Sequence, residues 1–401
     1  MRVVTSNLGA FALVVAGGLP GLAFGDPLFG NPSNQASSVQ GASRAPRLND
    51  TGLTYCLDTY AWVQIACAGT GQDGEFGRDV THPYNANGPA GFSFVKVCNN
   101  GREAGQPGCK KNAVQGDGPH DWGCTKDLVT GLMWELRTKD GSIRDADRVF
   151  QNFGTNSPAD TGGLVAAMNA QALCGATDWR LPTVTELFTP VSFTGAAGGI
   201  KSWFPDVAHG FNQFWTSEAV SGNPSMAWYV DWGPSEPGSP ENWINSRIDD
   251  PVVTAARVVS GSATLTHLEP KDDEVVDTVN HLSWRRCVEG MTWQKPNCVG
   301  TPTLMYWSDA LAYTKGVAAA TGVAWRLPNI KELQSIVVLS VKYSPTIDHA
   351  LFPQTPGNFY WSSTGLDVFT IYRVSFGSGQ ASRESGENDS NFAIRLVRDT
   401  N

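Results

Sequence analysis

The sequence has few charged residues and no surplus of positive charge. Only 17% of its 401 residues are charged, and 38 acidic residues against 29 basic ones give a formal net charge of −9. A surface that binds nucleic acid needs a basic stripe to neutralise phosphates, and the sequence contains no such stripe. We therefore exclude nucleic acid as a partner.

Long apolar runs are missing beyond the first 24 residues. A membrane-spanning helix needs about 20 consecutive apolar residues, and only residues 8–24 approach this length, although Gly and Pro interrupt them. Arg2 before this stretch and small residues near Gly25 are typical of a secretion signal. We predict that residues 1–25 are removed on export, which leaves no transmembrane segment; a membrane anchor is the alternative. The protein is then expected in the periplasm, on the cell surface or outside the cell.

Signatures of catalysis and of zinc binding are also absent. No Gly-x-Ser-x-Gly elbow surrounds a serine, no Cys-x-x-Cys pair occurs, and the six histidines are scattered. We therefore predict that the protein is not an enzyme and holds no cofactor, with calcium kept as an alternative.

Eight cysteines are present, and in an exported chain they favour disulfides over free thiols or a metal site. The predicted pairs are Cys56 with Cys67, Cys98 with Cys109, Cys124 with Cys174, and Cys287 with Cys298. Residues 26–47 are small and polar and predict a flexible linker. Residues 48–115 then form a disulfide-rich N-terminal segment.

The most informative feature is an internal repeat. Trp-Arg-Leu-Pro occurs at 179–182 and again at 325–328, and a second tryptophan follows 36 residues after the first in both copies. An upstream stretch ending in tryptophan also recurs, at 127–134 and 277–284. The spacing predicts two tandem domains, at residues 116–262 and 263–401.

The repeated residues are predicted to be structural. Thr183 and Asn329 each stand three residues before a glutamate, which is the spacing of a helix capping box. We expect the repeated arginines to pair with these glutamates and the repeated tryptophans to lie in the core. The predicted structural set is Trp179, Arg180, Glu186, Trp215, Trp325, Arg326, Glu332 and Trp361.

The order of elements predicts an α+β fold. In each copy one helix precedes Trp-Arg-Leu-Pro and a second follows it, and the last third alternates apolar and polar residues as strands do. Each domain should therefore contain two helices and a mostly antiparallel twisted sheet. Long loops, at 234–253 and 378–391, differ between the copies.

Taken together, these motifs resemble the Lcl C-terminal domain family. They are Cys174-Gly-x-x-Asp-Trp-Arg-Leu-Pro182 and Phe-Trp-Thr-Ser217 in the first copy, and Trp-Arg-Leu-Pro328, Tyr-Trp-Ser-Ser363 and Ala-Ile-Arg-Leu-Val-Arg398 in the second. The resemblance covers about residues 50–399. It implies a secreted bacterial protein with a C-type-lectin-like fold, akin to the formylglycine-generating enzymes. The family's namesake implies surface adhesion through host glycans.

Ligand binding is predicted in the segments that the two copies do not share. Unrepeated tryptophans, whose rings would stack on a sugar, crowd one region of the first copy: Trp228, Trp232 and Trp243. Calcium, which prefers six to eight oxygen ligands, would use Glu384, Glu387, Asn388 and Asp389, with a second oxygen-rich set at Glu241, Asn242, Asp249 and Asp250. Core packing and a solvated acidic loop are the respective alternatives.

These features favour a non-enzymatic secreted or cell-surface binding or adhesion protein. The expected partner is a carbohydrate or another surface polymer. A structural component of the envelope or of a filament is the second hypothesis, and an enzyme of the sulfatase-activating fold, which would need a free thiol, is the third. The oligomeric state stays open.

Overall fold

The structure, a computed structural model, describes residues 48–58, 63–83, 87–194, 200–208, 212–232, 241–246, 254–262, 264–367, 370–385 and 390–400. The predicted secretion signal and linker lie outside these residues. Among the residues described, no helix has the length and apolar character that crossing a membrane requires.

The first repeat combines two helices with two sheets. The helices are α2 (Thr161–Gln171) and α3 (Val184–Phe188). The strands are β3 (Phe94–Cys98), β4 (Trp122–Asp127), β5 (Met133–Glu135), β6 (Gln213–Val220), β7 (Asn223–Asp231), β8 (Glu241–Ser246), β9 (Thr254–Ala255) and β10 (Val259–Ser260). One sheet has the order β10-β5-β4-β3 and the other has the order β8-β7-β6-β9.

The second repeat has the same plan with a different insertion. Its sheets have the orders β11-β12-β13-β19 and β16-β17-β18, and β14 pairs with β15 as a separate hairpin. The helices are α4 (Trp307–Thr321) and α5 (Ile330–Ser335). The strands are β11 (Leu268–Lys271), β12 (Glu274–Asp277), β13 (Leu282–Arg285), β14 (Met291–Gln294), β15 (Asn297–Gly300), β16 (Phe359–Asp367), β17 (Thr370–Ser375), β18 (Ala381–Ser385) and β19 (Val397–Asp399). The chain is therefore an α+β protein of two tandem repeats.

The N-terminal segment is built into both repeats. It contains β1 (Cys56–Leu57), β2 (Gln64–Ile65) and α1 (Arg78–Thr81), before β3 joins the first repeat's sheet. Towards the second repeat, the Tyr55 hydroxyl donates to the Leu366 carbonyl at 3.1 Å. The Lys315 ammonium donates back to the Gly69 carbonyl at 2.9 Å. The segment therefore joins the two repeats rather than standing apart from them.

One hydrophobic core runs through both repeats. Phe193 of the first repeat meets Tyr372 of the second edge to face, with ring centroids 4.9 Å apart. Aromatic pairs in this geometry stabilise by about 0.5–1.5 kcal/mol beyond the area they bury. The repeated tryptophans are all buried in the core clusters: Trp134, Trp179, Trp215, Trp284, Trp325 and Trp361.

The Trp-Arg-Leu-Pro motif joins a short helix to the edge of a sheet. The Arg180 N–H donates to the Val259 carbonyl at 3.0 Å, and in the second copy Arg326 does the same with Val397 at 2.9 Å. Both capping boxes are formed, at Thr183 and at Asn329.

Each glutamate of these boxes also accepts two guanidinium hydrogen bonds. The distances are 2.6 and 2.8 Å from Arg180 to Glu186. They are both 2.8 Å from Arg326 to Glu332. Both repeated glutamates therefore have a structural role.

Candidate functional site

The tryptophans proposed for sugar stacking lie mostly in the core. Trp228 and Trp232 are each 3% exposed. The Trp232 ring meets Phe214 edge to face at 4.9 Å, and its N–H donates to the Leu187 carbonyl at 3.0 Å. Neither ring offers a free face, so their assignment to a ligand surface is not retained. Trp243 lies in β8 opposite Tyr229, and its side chain lies outside the described residues.

The residues proposed for calcium are not brought together in the described part of the chain. Glu384 forms an ion pair with Arg373 on the neighbouring strand. The loop predicted at 234–253 contains strand β8, which carries Glu241 and Asn242. Outside the described residues lie Glu387, Asn388, Asp389, Asp249 and Asp250. Within the described ranges, no group of three or more His, Cys, Asp or Glu residues is arranged to hold a metal ion.

All eight cysteines are disulfide-bonded in the four predicted pairs. The pair Cys98–Cys109 closes a loop beside β3, and Cys124–Cys174 ties β4 to the turn after α2. A cavity of the first repeat, which we call the polar pocket, lies next to these bridges, because Asn99 and Leu173 beside Cys98 and Cys174 line it.

The polar pocket is a cavity of about 390 Å³, within the roughly 300–1,000 Å³ range of ordinary ligand sites. Pro119, Ile143 and Leu173 give it an apolar surface. Its polar lining residues are Asn99, Asn100, Asp117, Asp140, Ser142, Arg144 and Gln171. Carboxylates, amides and a guanidinium together offer both donors and acceptors.

Local hydrogen bonds fix the first wall of the polar pocket. The Asn99 amide donates to the carbonyls of Gly116 and Gly118 at 2.8 and 2.9 Å, which holds Asp117 over the cavity. The Asn99 side chain lies so close to the strand that a Cβ at residue 123 would stand 1.8 Å from its oxygen. Gly123 is therefore required for this wall.

The second wall is a tight turn rich in aspartate. The Asp140 carboxylate accepts from the Thr138 hydroxyl at 2.6 Å and from the Ser142 N–H at 2.9 Å. The Asp145 carboxylate accepts from the Gly141 N–H at 2.6 Å. Aspartate side chains that bond to the backbone two residues on stabilise such turns, so the turn is held in one shape.

Two carboxyl groups and one guanidinium set the charge of the polar pocket. Asp117 and Asp140 are hydrogen-bonded to each other, which raises the pKa of Asp117. Burial alone would raise the pKa of Asp140, but the hydrogen bonds from Asp117 and Thr138 hold it below its usual range. Arg144 is 7% exposed, and its Nη1 stands 3.9 Å from the Asp117 carboxylate. One guanidinium against two carboxyl groups makes the site unsuited to a polyanion.

A second cavity, of about 400 Å³, lies between the turn of β6 and β7 and residues Leu339 and Ser340. Its lining is mainly apolar, and its carboxylate, Glu218, already accepts from the Val184 N–H at 2.6 Å. It offers few polar groups to orient a ligand, so the polar pocket is the better candidate site.

The sequence analysis missed the residues of the polar pocket. Asp117, Asp140 and Arg144 belong to no repeated motif, and their segments meet only in the folded chain. The available signal was the run Asp140-Gly-Ser-Ile-Arg-Asp145, in which aspartates flank a glycine turn. That run has no counterpart in the second copy.

Two tandem α+β repeats with a shared motif, four disulfides and one polar pocket define a class of disulfide-stabilised repeat proteins. Comparison with known families identifies the Lcl C-terminal domain, which matches residues 123–247 and 273–398. These ranges cover more than half of the chain, so the protein belongs to the Lcl C-terminal domain family. No curated protein matches, and no solved structure matches.

Proposed function

We propose that the protein is an exported, non-enzymatic binding module that takes a hydroxyl-rich glycan in the polar pocket of its first repeat. The observation that carries the proposal is the pocket's mixed lining of carboxyl, amide and guanidinium groups beside an apolar surface. Sugar hydroxyls both donate and accept hydrogen bonds, so such a lining suits them. The excess of carboxyl over guanidinium groups favours a neutral glycan.

The contacts within the polar pocket favour binding over hydrolysis. Glycosidases separate their two carboxyl groups by roughly 5–9.5 Å so that the scissile bond fits between them. Asp117 and Asp140 instead touch through a hydrogen bond. The pairing of all eight cysteines in disulfides also counts against chemistry that needs a free thiol.

The experiment is a glycan array followed by calorimetry on the best neutral ligand, with wild type and Asp117→Ala. The Asp117 side chain is 55% exposed, so its removal should leave the fold intact. We expect affinity to fall about tenfold, which corresponds to the loss of roughly 1.4 kcal/mol.

The matched control is Asp147→Ala. Asp147 is a carboxylate whose side chain is 65% exposed and which pairs with Lys139 rather than with the polar pocket. It should bind like wild type. An array without binding, or equal affinity of Asp117→Ala and wild type, would contradict the proposal. A blank array together with assembly into filaments would favour the structural role instead.

A further inference from the structure

Three aspartates of the N-terminal segment are buried where that segment meets the second repeat. Asp50, Asp73 and Asp79 are 5%, 3% and 0% exposed. Lys331 of α5 reaches the same place and is 2% exposed. We call the three aspartates the carboxyl cluster. Buried carboxyl groups this close together cannot all carry charge without a large cost in free energy.

Asp50 is the member whose charge is best compensated. Its Oδ2 accepts from the backbone N–H groups of Arg78 and Asp79. Its Oδ1 accepts from the Thr51 N–H at 2.9 Å and from the Asn329 amide at 3.0 Å. A carboxylate with this many donors is stable as an anion. The remaining two carboxyl groups therefore face a fixed negative charge.

The number of available hydrogens requires a proton on Asp79. The Thr51 hydroxyl lies 2.9 Å from Asp73 and 3.4 Å from Asp79, yet it carries one hydrogen. Asp73 also accepts from the Thr364 hydroxyl at 2.7 Å. The buried Oδ1 of Asp79 has no hydrogen-bond partner among the described residues. A protonated Asp79 can donate to the carboxylate of Asp50, to which its side chain is hydrogen-bonded, whereas an ionised Asp79 would be a buried anion short of donors.

Lys331 does not neutralise the cluster by a direct ion pair. Its ammonium donates to the backbone carbonyls of Asp50 at 2.7 Å and Thr189 at 3.0 Å. It also lies 4.6 Å from the centre of the Phe92 ring. The lysine therefore joins the N-terminal segment to both repeats through neutral groups.

We propose that Asp79 keeps its proton in the folded protein, so that the carboxyl cluster is a proton-dependent clasp that joins the N-terminal segment to the second repeat. The other charged or titratable groups around it are Asp127 on β4, and Glu332 of α5 with its partner Arg326. The clasp holds more strongly at acidic than at neutral pH.

The direction of the pH effect follows from each group. Burial and then the charge of Asp50 raise the pKa of Asp73 to about 8 and that of Asp79 to about 11, against 3.8 for a free aspartate. Burial also raises the pKa of Asp127 to about 6. The stabilisation from a raised carboxyl pKa is complete below pH 3.8 and is lost as pH rises through the folded pKa.

Lys331 changes the stability in the opposite direction, and it does so in a different pH range. Burial lowers its pKa from 10.5 to about 7. Its contribution is therefore present above pH 10.5 and lost as pH falls through about 7. Between pH 4 and pH 7 the carboxyl groups act alone, so the stability that the clasp contributes falls across this window.

The test measures the free energy of unfolding by denaturant at several pH values from 4 to 7, for wild type and Asp79→Asn. The slope of this free energy against pH gives the difference between the numbers of protons that the unfolded and the folded protein bind. We expect the slope of Asp79→Asn to differ from that of wild type by about one proton. The matched control is Asp272→Asn, because Asp272 is exposed and has a φ of 50°, which asparagine tolerates; it should keep the wild-type slope. Equal slopes for wild type and Asp79→Asn would overturn the proposal.

A second measurement works without any variant that could fail to fold. Infrared spectra of wild type in heavy water at pH 7 should contain the carbonyl band of a protonated carboxylic acid. A spectrum with ionised carboxylates alone would overturn the proposal. The proposal would also be overturned if Ca²⁺ raised the melting temperature of wild type but not that of Asp79→Asn, because the carboxyl cluster would then hold a cation.

Discussion

The two repeats share a frame and differ in what is attached to it. Both hold an arginine–glutamate pair, a capped short helix and a buried strand tryptophan in matching places. Only the first adds the walls of the polar pocket, whereas the second carries the hairpin of β14 and β15. The repeated part of this chain is therefore its scaffold, and function is expected where the two copies differ.

A matched pair of buried arginines shows a second difference. Arg257 and Arg395 both lie before the final strand of their repeat and are 0% exposed. Arg257 forms an ion pair with Asp206, which also binds Arg137 at 2.8 Å. Arg395 instead donates to backbone carbonyls and to the Thr355 hydroxyl at 2.7 Å. Burial lowers the pKa of Arg395 to about 10, and the nearby Tyr360 and Glu289 oppose this shift only in part.

The largest expected effect comes from removing the carboxylate of the first repeat. Asp206→Asn should lower the free energy of unfolding by about 3–5 kcal/mol, because it removes the carboxylate that forms ion pairs with two buried guanidinium groups. Thr355→Val, which removes a neutral partner of Arg395, should cost about 1 kcal/mol. Denaturant unfolding compares the two. Equal costs would mean that the charge difference between the repeats has no energetic consequence.

The disulfides should rank by the length of chain they close. Cys124–Cys174 closes a separation of 50 residues and Cys287–Cys298 one of 11. The chain-entropy relation gives about 4 kcal/mol for the first and about 3 kcal/mol for the second. Double Cys→Ser variants of each pair, unfolded under the same conditions, measure the difference. The reverse order would show that contacts other than chain entropy dominate.

The smallest expected effects concern the repeated arginine–glutamate pairs. The Arg326 side chain is 6% exposed, whereas that of Arg180 is 36% exposed. Glu332→Gln should therefore cost about 3 kcal/mol, and Glu186→Gln about 1 kcal/mol, because solvent screens the half-exposed pair. Melting temperatures of the two variants suffice to rank them. A larger loss for Glu186→Gln would assign that glutamate a role beyond the scaffold.

Local patterns in the sequence predicted much of the fold. The capping boxes at Thr183 and Asn329 are set by residues three apart, and the strands follow period-two alternation. The same alternation also predicts that Trp228 and Trp232 are buried. Trp228 and Trp232 each lie two residues from Val230, one before it and one after it. Side chains two residues apart along a strand point to the same side of a sheet, so all three residues face one side. That side is the core.

The polar pocket and the carboxyl cluster could not be predicted in the same way. Both depend on contacts between residues far apart in the chain. Asp117 meets Asp140 across the pocket, and Asp50 meets Asn329 across 279 residues. Neither contact repeats or follows a periodic pattern. Sequence spacing gives the scaffold, whereas the sites arise where distant segments are brought together.

The central claim is that ligand binding belongs to the segments the two repeats do not share. The most direct test is a hydrogen-exchange footprint of the full chain saturated with its best-binding neutral glycan. We expect protection at residues 99–100, 117–119 and 140–144, which contain most of the residues that line the polar pocket, and unchanged exchange at 179–187 and 325–333. Protection centred on the repeated Trp-Arg-Leu-Pro segments, with none at the pocket, would contradict the claim.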